Sequence, residues 1–494
     1  MAQYLDIALN MTQDSVCEDS MQDALEVSLD TSGRHKRRES LVTNKYGRPV
    51  AERQHTSCFV HALLEGQRQD GNVEKSDEGI LQEKKADKNA ELPSKNGHHT
   101  DSRLLTKKQL TDMAFGIREL SKKLGHIRLN LKVRNVFILT KAHDNRLIAK
   151  TKEVACWLLD NKAESGVSYT VWVEHTLKDK PAFDEKGLLS VDESRIDRLK
   201  YWDDDLCRRK PQTFDIGLAL GGDGTVLYAS ALFQRIVPPI LSFALGSLGF
   251  LTKFDFDAYQ KILTRAFSEG ITLSLRLRFE GTVMRSNKRG SDDGQQSRSL
   301  VEELVGDQAE DSHTHRPERS FNILNEIVID RGPNPTMSSM EVFGDDEHFT
   351  TIQADGICVA TPTGSTAYNL AAGGSLCHPD NPVVLLTAIC AHTLNFRPVI
   401  LPDTIVLRVG VPYDARASCW ASFDGRQRTE LHPGDYVTIS ASRFPFPTVL
   451  PLDRRSEDWV DSISRTLNWN SRQRQKAFDK MEGEKPKEKQ ETVI

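Results

Sequence analysis

Residues 221–225 read Gly-Gly-Asp-Gly-Thr and stand where an apolar run, FDIGLAL, gives way to the helix-like pattern TVLYASALF. A loop that leaves a parallel strand and opens a helix turns free backbone N–H groups and the positive end of the helix toward whatever sits there. Glycine lets a backbone approach closely or adopt positive φ. Gly221, Gly222, Gly224 and Thr225 are therefore candidates to hold phosphate oxygens. The stretch is neither the GxxxxGK[ST] of a Walker loop nor the GxGxxG of a dinucleotide fingerprint. Asp223 would repel phosphate unless Mg²⁺ or a hydroxyl losing its proton lay between them. The plainer alternative is that Asp223 caps the following helix while the glycines make a tight turn.

Two other segments bear on that choice. In ILNEIVIDRG, Asn325 and Glu326 interrupt an apolar strand pattern. Adjacent strand residues face opposite sides, so at least one polar group points where the pattern wants an apolar one. A buried, unpaired carboxylate is costly. A ligand with two neighbouring hydroxyls would satisfy both residues, and a structural hydrogen bond is the alternative. Further on, QADGICVATPTGSTAYNLAAGG places Asp355 before a strand-like ICVA. It then crowds Thr361, Thr363, Ser365 and Thr366 into one helix-opening turn. Capping needs one such residue, so the density suits recognition of a polar ligand. His378 and the nearby cysteines lack a second histidine at ligand spacing, and no transition-metal site is expected.

The elements around these residues fall into two rhythms. From about Val133 to Thr252, apolar runs such as NVFILT, TVWVE, IGLAL and PPILSFAL alternate with helical patterns, which predicts a parallel sheet covered by helices. From Ile271 the pattern changes to many short strands. In ITLSLRLRFEGTV, Leu273, Leu275, Leu277 and Phe279 recur with period two, the signature of one half-buried antiparallel strand. The predicted organisation is a largely disordered region over 1–100 and an α/β nucleotide-binding domain over 101–265. An all-β, sandwich-like domain follows over 266–455, with a mobile insertion at about 286–320. A charged tail occupies 456–494 and is at best a solvated helix.

Composition narrows the function classes. The formal net charge of -5 over 494 residues gives poor support for a nucleic-acid binder. Eight scattered cysteines with no CxxC pair read as reduced thiols rather than a disulfide framework or zinc site. The acidic, arginine-poor start resembles neither a signal peptide nor a mitochondrial presequence, and no segment approaches eighteen uninterrupted apolar residues. A cytoplasmic protein without a membrane span is expected.

Taken together, GGDGTVLYA, SFALGSLGFLTKF, LNEIVIDRG, the ADG…TPTGSTAYNLAAGG segment, HTLNFRPVILP and SFDGR resemble the ATP-NAD kinase family, in particular its larger eukaryotic members. Their order and spacing cover about Val133 to Pro451. The resemblance implies an α/β nucleotide-binding domain followed by a β-sandwich. It also implies a transfer of the ATP γ-phosphate to the 2′-hydroxyl of the adenosine ribose of NAD. On it, the glycines and Thr225 belong to the ATP phosphate turn, with Mg²⁺ arriving with ATP, and Asp223 is the carboxylate near the acceptor ribose. Asn325 and Glu326 match the pair that holds NAD ribose hydroxyls, and Asp355 matches a further carboxylate at the NAD site. Thr363, Thr366, Ala367 and Tyr368 match the turn that contacts NAD, and Asp424 lies in a late part of the pocket. The family also implies a homo-oligomer, dimer or larger, with ATP and NAD(H) as small-molecule substrates. Ala391 and Asn395 depart from the usual PHSLSFRP pattern, which affects the rim rather than the chemistry. A lipid or sphingoid-base kinase carries a related GGDGT turn but not the Asn-Glu pair together with TPTGSTAY. A non-catalytic NAD-binding regulator would not need Asp223.

Overall fold

The computed structural model describes residues 28–30, 39–40, 101–162, 166, 168–246, 248–287, 299–305, 314–392, 396–451 and 457–469. The first sheet has a parallel centre. Leu199–Trp202, Thr170–Glu174, Asn135–Thr140, Ile216–Gly221 and Ile240–Ala244 lie side by side in that order. Alternate residues feed opposite layers, as strand geometry requires. Val136 and Ile138 face one core with helices Lys107–His126, Asn145–Asp160 and Tyr259–Ser268. Phe137 and Leu139 face another with Asp204–Arg209 and Asp223–Leu232. Both faces are thus covered, which is why these strands are apolar throughout. Helix starts are set locally. Thr106 and Gln109 exchange side-chain and backbone hydrogen bonds in a capping box, and Asp144 accepts from the Arg146 N–H at 2.9 Å.

The second unit is a sandwich of two six-stranded antiparallel sheets. One runs His315–Ile323, Phe279–Ser286, Tyr436–Ala441, Leu407–Gly410, Ser338–Gly344, Glu347–Ala354. The other runs Val399–Pro402, Val383–Ile389, Gly356–Ala360, Glu326–Asp330, Cys419–Phe423, Gln427–Leu431. Phe279, Val342, Val409 and Ile439 of the first pack with Ile327, Ile329, Leu386 and Ala421 of the second in one core. The site lies at the end of this sandwich that meets the first sheet.

Several boundaries differ from the sequence reading. The stretch expected as one strand from Ile271 is two: Thr272–Arg276 joins the first sheet, and Phe279–Ser286 joins the sandwich. Its polar positions Thr272, Ser274 and Arg276 are buried as well as Leu273 and Leu275, and the two leucines pack with Leu120 and Leu124 of helix Lys107–His126. Phe446–Leu450 also returns to the first sheet, antiparallel to Thr272–Arg276 and parallel to Ile240–Ala244. Within the insertion expected to be mobile, Leu300–Val305 is a helix whose Leu300 and Leu304 are buried with Met284, Phe343 and Tyr436; residues 288–298 and 306–313 lie outside the described residues. Part of the charged tail is also packed. Helix Glu457–Thr466 buries Ile463 and sets Trp459 against His378 with ring centroids 5.1 Å apart. In the region expected to be largely disordered, Ser28–Asp30 forms a short strand between Glu39–Ser40 and Arg128–Asn130, antiparallel to both.

The crossing between the two units is built around Arg278, whose side chain is 0% exposed. Its guanidinium donates to the carbonyls of Phe444, Phe233 and Gln234 at 2.6, 2.9 and 3.1 Å. Phe233 and Gln234 follow directly on helix Asp223–Leu232, so a cation sits at the helix end where carbonyls collect negative potential. Gln234 and Asn322 bond each other three times: the Asn322 N–H and Nδ2 donate to Gln234 Oε1 and O, both at 2.8 Å, and Gln234 Nε2 donates to Asn322 O at 3.1 Å. This polar lock joins the helix that starts at the glycine turn to the strand that leads into Asn325.

Candidate active site

The strand Ile216–Gly221 ends in the glycine turn, and helix Asp223–Leu232 starts from it with Gly222 as its N-cap. Gly221 has φ +155°, and a side chain there would collide with the Thr225 hydroxyl. At Gly222 and Gly224 a side chain would meet open space. Packing does not require those two glycines, and the exposed helix start is open to close approach by a ligand. Thr225 is 2% exposed, and its Oγ1 has no hydrogen-bond partner.

Asp223 is the first helical residue rather than the cap, and its carboxylate turns away from its own helix. Oδ1 accepts from the Leu251 N–H at 3.0 Å, the Thr252 N–H at 3.1 Å and the Thr252 hydroxyl at 3.2 Å. Oδ2 accepts from the Phe250 N–H at 2.9 Å. A side chain on Gly249 would strike this carboxylate, so a glycine is needed there for the loop to close on it. The helix-capping alternative is therefore replaced: Asp223 organises the loop 249–252. Oδ1 is fully engaged, while Oδ2, with one donor, keeps lone-pair capacity for a second.

Across from the turn, Asp424 takes up φ +49° at the end of strand Cys419–Phe423. Its carboxylate collects three backbone N–H groups: Leu324 and Asn325 at 2.7 Å, and Glu326 at 3.1 Å. It anchors the start of the strand that carries the candidate pair. Burial lifts the carboxyl above its usual range, against the pull of those three donors. Asn325 and Glu326 are 7% and 9% exposed, yet Asn325 Oδ1 and Glu326 Oε2 lack partners. Burial, with the Asp424 charge second, pushes the Glu326 carboxyl up to about 8, while the Tyr368 N–H draws it the other way. Burial and the neighbouring acid thus favour the protonated form of Glu326, next to an Asp424 carboxyl that accepts three N–H groups.

The hydroxyl-rich turn docks directly on this strand. Thr361 donates from its N–H to Asn325 O at 2.8 Å and from its hydroxyl to Leu324 O at 2.6 Å. Gly364 passes so near that a side chain would strike the Asn325 backbone. Thr363 is 7% exposed, and its Oγ1 is a further buried atom without a partner. Ser365 is spent on structure, exchanging bonds with the N–H and carbonyl of Cys377 at 3.0 Å. Thr366 donates to Thr363 O at 3.4 Å, Ala367 is partly buried, and the Tyr368 ring is exposed. Asp355 stands apart in its bonding: it is half-exposed and pairs with Arg331 at 3.0 Å. Among the described residues no cluster of three or more His, Cys, Asp or Glu side chains could hold a metal ion.

The sequence reading did not single out Arg426. Its Nη2 donates to Gly224 O at 3.2 Å, and its guanidinium lies 4.6 Å from the centre of the Tyr228 ring. The signal was the SFDGR motif itself, where a turn of two positive-φ residues hands its next side chain to the opposite unit.

Family models described as the ATP-NAD kinase N-terminal and C-terminal domains match residues 136–271 and 324–450. The NAD(+) kinase of Saccharomyces cerevisiae is 43% identical over 381 residues, covering 77% of this chain and 68% of that protein. The chain belongs to the ATP-NAD kinase family. A protein described as an ATP-NADH kinase from the same yeast is 38% identical over 378 residues, 76% of this chain and 72% of its own. Among solved structures, the yeast NADH kinase complexed with NADH superposes with a TM-score of 0.55 at 27% identity, covering 71% of this chain and 93% of that one. The glycine turn of this ATP-NAD kinase family member falls in the first matched range. Asn325, Glu326, Asp355, the Thr363 turn and Asp424 fall in the second, and Arg278 of the polar lock lies between them.

Proposed function

We propose that this protein is an NAD kinase, transferring the γ-phosphoryl group of ATP to the 2′-hydroxyl of the adenosine ribose of NAD to give NADP. The observation that carries this reading is the set of buried, unpartnered atoms Asn325 Oδ1, Glu326 Oε2 and Thr363 Oγ1. Each such atom costs about 1–3 kcal/mol, a cost that a bound diol removes. A protonated Glu326 can donate to one ribose oxygen as well as accept from a hydroxyl. The yeast relatives, described as acting on NAD(+) and NADH, support the same acceptor.

The glycine turn supplies backbone donors for the phosphate chain of MgATP, whose Mg²⁺ would offset part of the charge on that chain. The ribose oxygen attacks the γ-phosphorus, the bond from that phosphorus to the ADP oxygen breaks, and the hydroxyl proton passes to Asp223. Oδ2, with one donor already in place, is the oxygen suited to receive it. Phosphoryl transfer needs little else beyond alignment and charge compensation. Incubation of the purified protein with MgATP and either NAD or NADH, with mass-spectrometric detection of the 2′-phosphorylated product, tests the assignment. Nucleotide binding without any such product would mark a regulator instead.

A further inference from the structure

The hairpin tip that carries Arg426 is tied to the acceptor side and reaches the donor side. Asp424 and Gly425, at φ +49° and +66°, reverse the chain, and the Arg426 N–H closes the turn on Phe423 O at 3.0 Å. Asp424 fastens this tip to the strand bearing Glu326 through three backbone bonds. From there the Arg426 side chain crosses to Gly224 O and lies over Tyr228. Gly224 and Tyr228 are four residues apart on one helix face, so the guanidinium runs along the first turn of the helix. Tyr228 is half-buried and offers a fixed platform. A guanidinium has five N–H donors, and the bond to Gly224 engages one nitrogen. The rest of the fork is held, exposed, beside the open space at Gly222 and Gly224.

We propose that Arg426 grips the phosphate chain of the nucleotide bound by the glycine turn, as a catalytic residue supplied by the sandwich. This rests on the phosphoryl-transfer reading above. Arginine matches phosphate oxygens with paired N–H groups. A cation fixed in advance stabilises the charge that spreads over the transferring group. Because Asp424 anchors both the Arg426 tip and the Glu326 strand, one carboxylate sets the cation and the acceptor in register.

Arg426→Ala and Arg426→Lys, with titrations of ATP, ADP and AMP and steady-state kinetics, test the assignment. In the alanine variant ATP affinity and kcat/KM for ATP should each fall about ten- to a hundredfold. AMP and NAD affinity should stay within about twofold, given that neither depends on a contact with the donor's outer phosphates. Lysine should restore part of the loss, keeping charge without the fork. Equal losses for ATP and AMP, loss of NAD affinity alone, or unchanged ATP parameters would each overturn the proposal, leaving Arg426 as a tie between the units. If the wild type made no phosphorylated NAD, yet the variant lost ATP relative to AMP, the acceptor assignment would fail and the role of Arg426 would stand. A wild type that bound no ATP would overturn both.

Discussion

The two sides of the site are built by opposite means. On the glycine side the carboxylate is engaged: Asp223 accepts four hydrogen bonds, and what is left for a ligand is shape, backbone and the unpartnered hydroxyl of Thr225. On the sandwich side three buried polar atoms have no partner at all, and a carboxyl is held protonated beside a second acid. The contrast teaches where each kind of recognition is stored. On the proposed reading, a flexible, highly charged phosphate chain would be met by open turns that tolerate its geometry. A ribose, small and stereochemically defined, would be met by fixed atoms kept unsatisfied at a cost in stability.

The largest test of that contrast is Asp223→Asn. The amide cannot take the hydroxyl proton, and turnover measured under conditions where chemistry limits should fall by about 10²–10⁴-fold. One of its two heteroatoms now donates, so it opposes an N–H of loop 249–252, and a modest drop in melting temperature should accompany the rate loss. A full rate with a lowered melting temperature would reduce Asp223 to a loop organiser.

Next comes Glu326→Gln, read against pH. The folded-state carboxyl titrates near 8, above its ordinary value, so the folded protein holds a proton that the unfolded chain has lost. The stability tied to that proton is fully present at acid pH and is lost as pH rises toward and through 8. The variant should therefore gain melting temperature relative to wild type at pH 8 and little at pH 4.5. Because the protonated carboxyl is the form that donates to a ribose oxygen, NAD affinity of the wild type should fall across pH 7–9, with proton uptake on binding detectable by calorimetry at the upper end. The variant should lose that slope.

Thr363→Val sharpens the contrast from the orphan side. It removes a buried hydroxyl without a partner in nearly the same volume, so melting temperature should rise, by up to about 1 kcal/mol of stability, while NAD affinity falls a few-fold to tenfold. Lower stability with unchanged affinity would mean that the hydroxyl serves the fold. The smallest effect belongs to Asp355→Asn. A half-exposed pair with Arg331 is worth about 0.2–1 kcal/mol, and NAD affinity by titration should shift less than about fivefold. A loss of a hundredfold would place Asp355 among the residues that grip the ligand.

How far the sequence was legible follows from what each residue's role depends on. The glycine turn could be read because an apolar run, three glycines and a helix pattern are all local. Asn325 and Glu326 announced themselves by breaking an apolar strand. The role of Asp424 as an anchor was not readable, since it rests on a positive-φ conformation and on contacts a hundred positions away in the chain. The split near Leu277 was hidden because period two continues unbroken through Arg278 while the chain changes sheets. Nor could an exposed arginine after a turn reveal that it faces a second unit. Asp223 was legible as to place but not as to partners, which come from a loop 27 to 29 residues downstream.

The return of Phe446–Leu450 to the first sheet has a consequence for synthesis. Ile240–Ala244 gains Phe254–Asp255 along part of its outer edge soon after it is made. Beside Ile240 that edge waits for the last strand, which leaves the ribosome only after the whole sandwich. At about 5–20 residues per second the delay is on the order of ten seconds or more. Over that interval an apolar strand offers unpaired backbone groups to any neighbouring nascent chain. The nucleotide-binding unit is therefore translated before the sandwich and completed only after it, so a truncation anywhere in the sandwich should damage the sheet that precedes it.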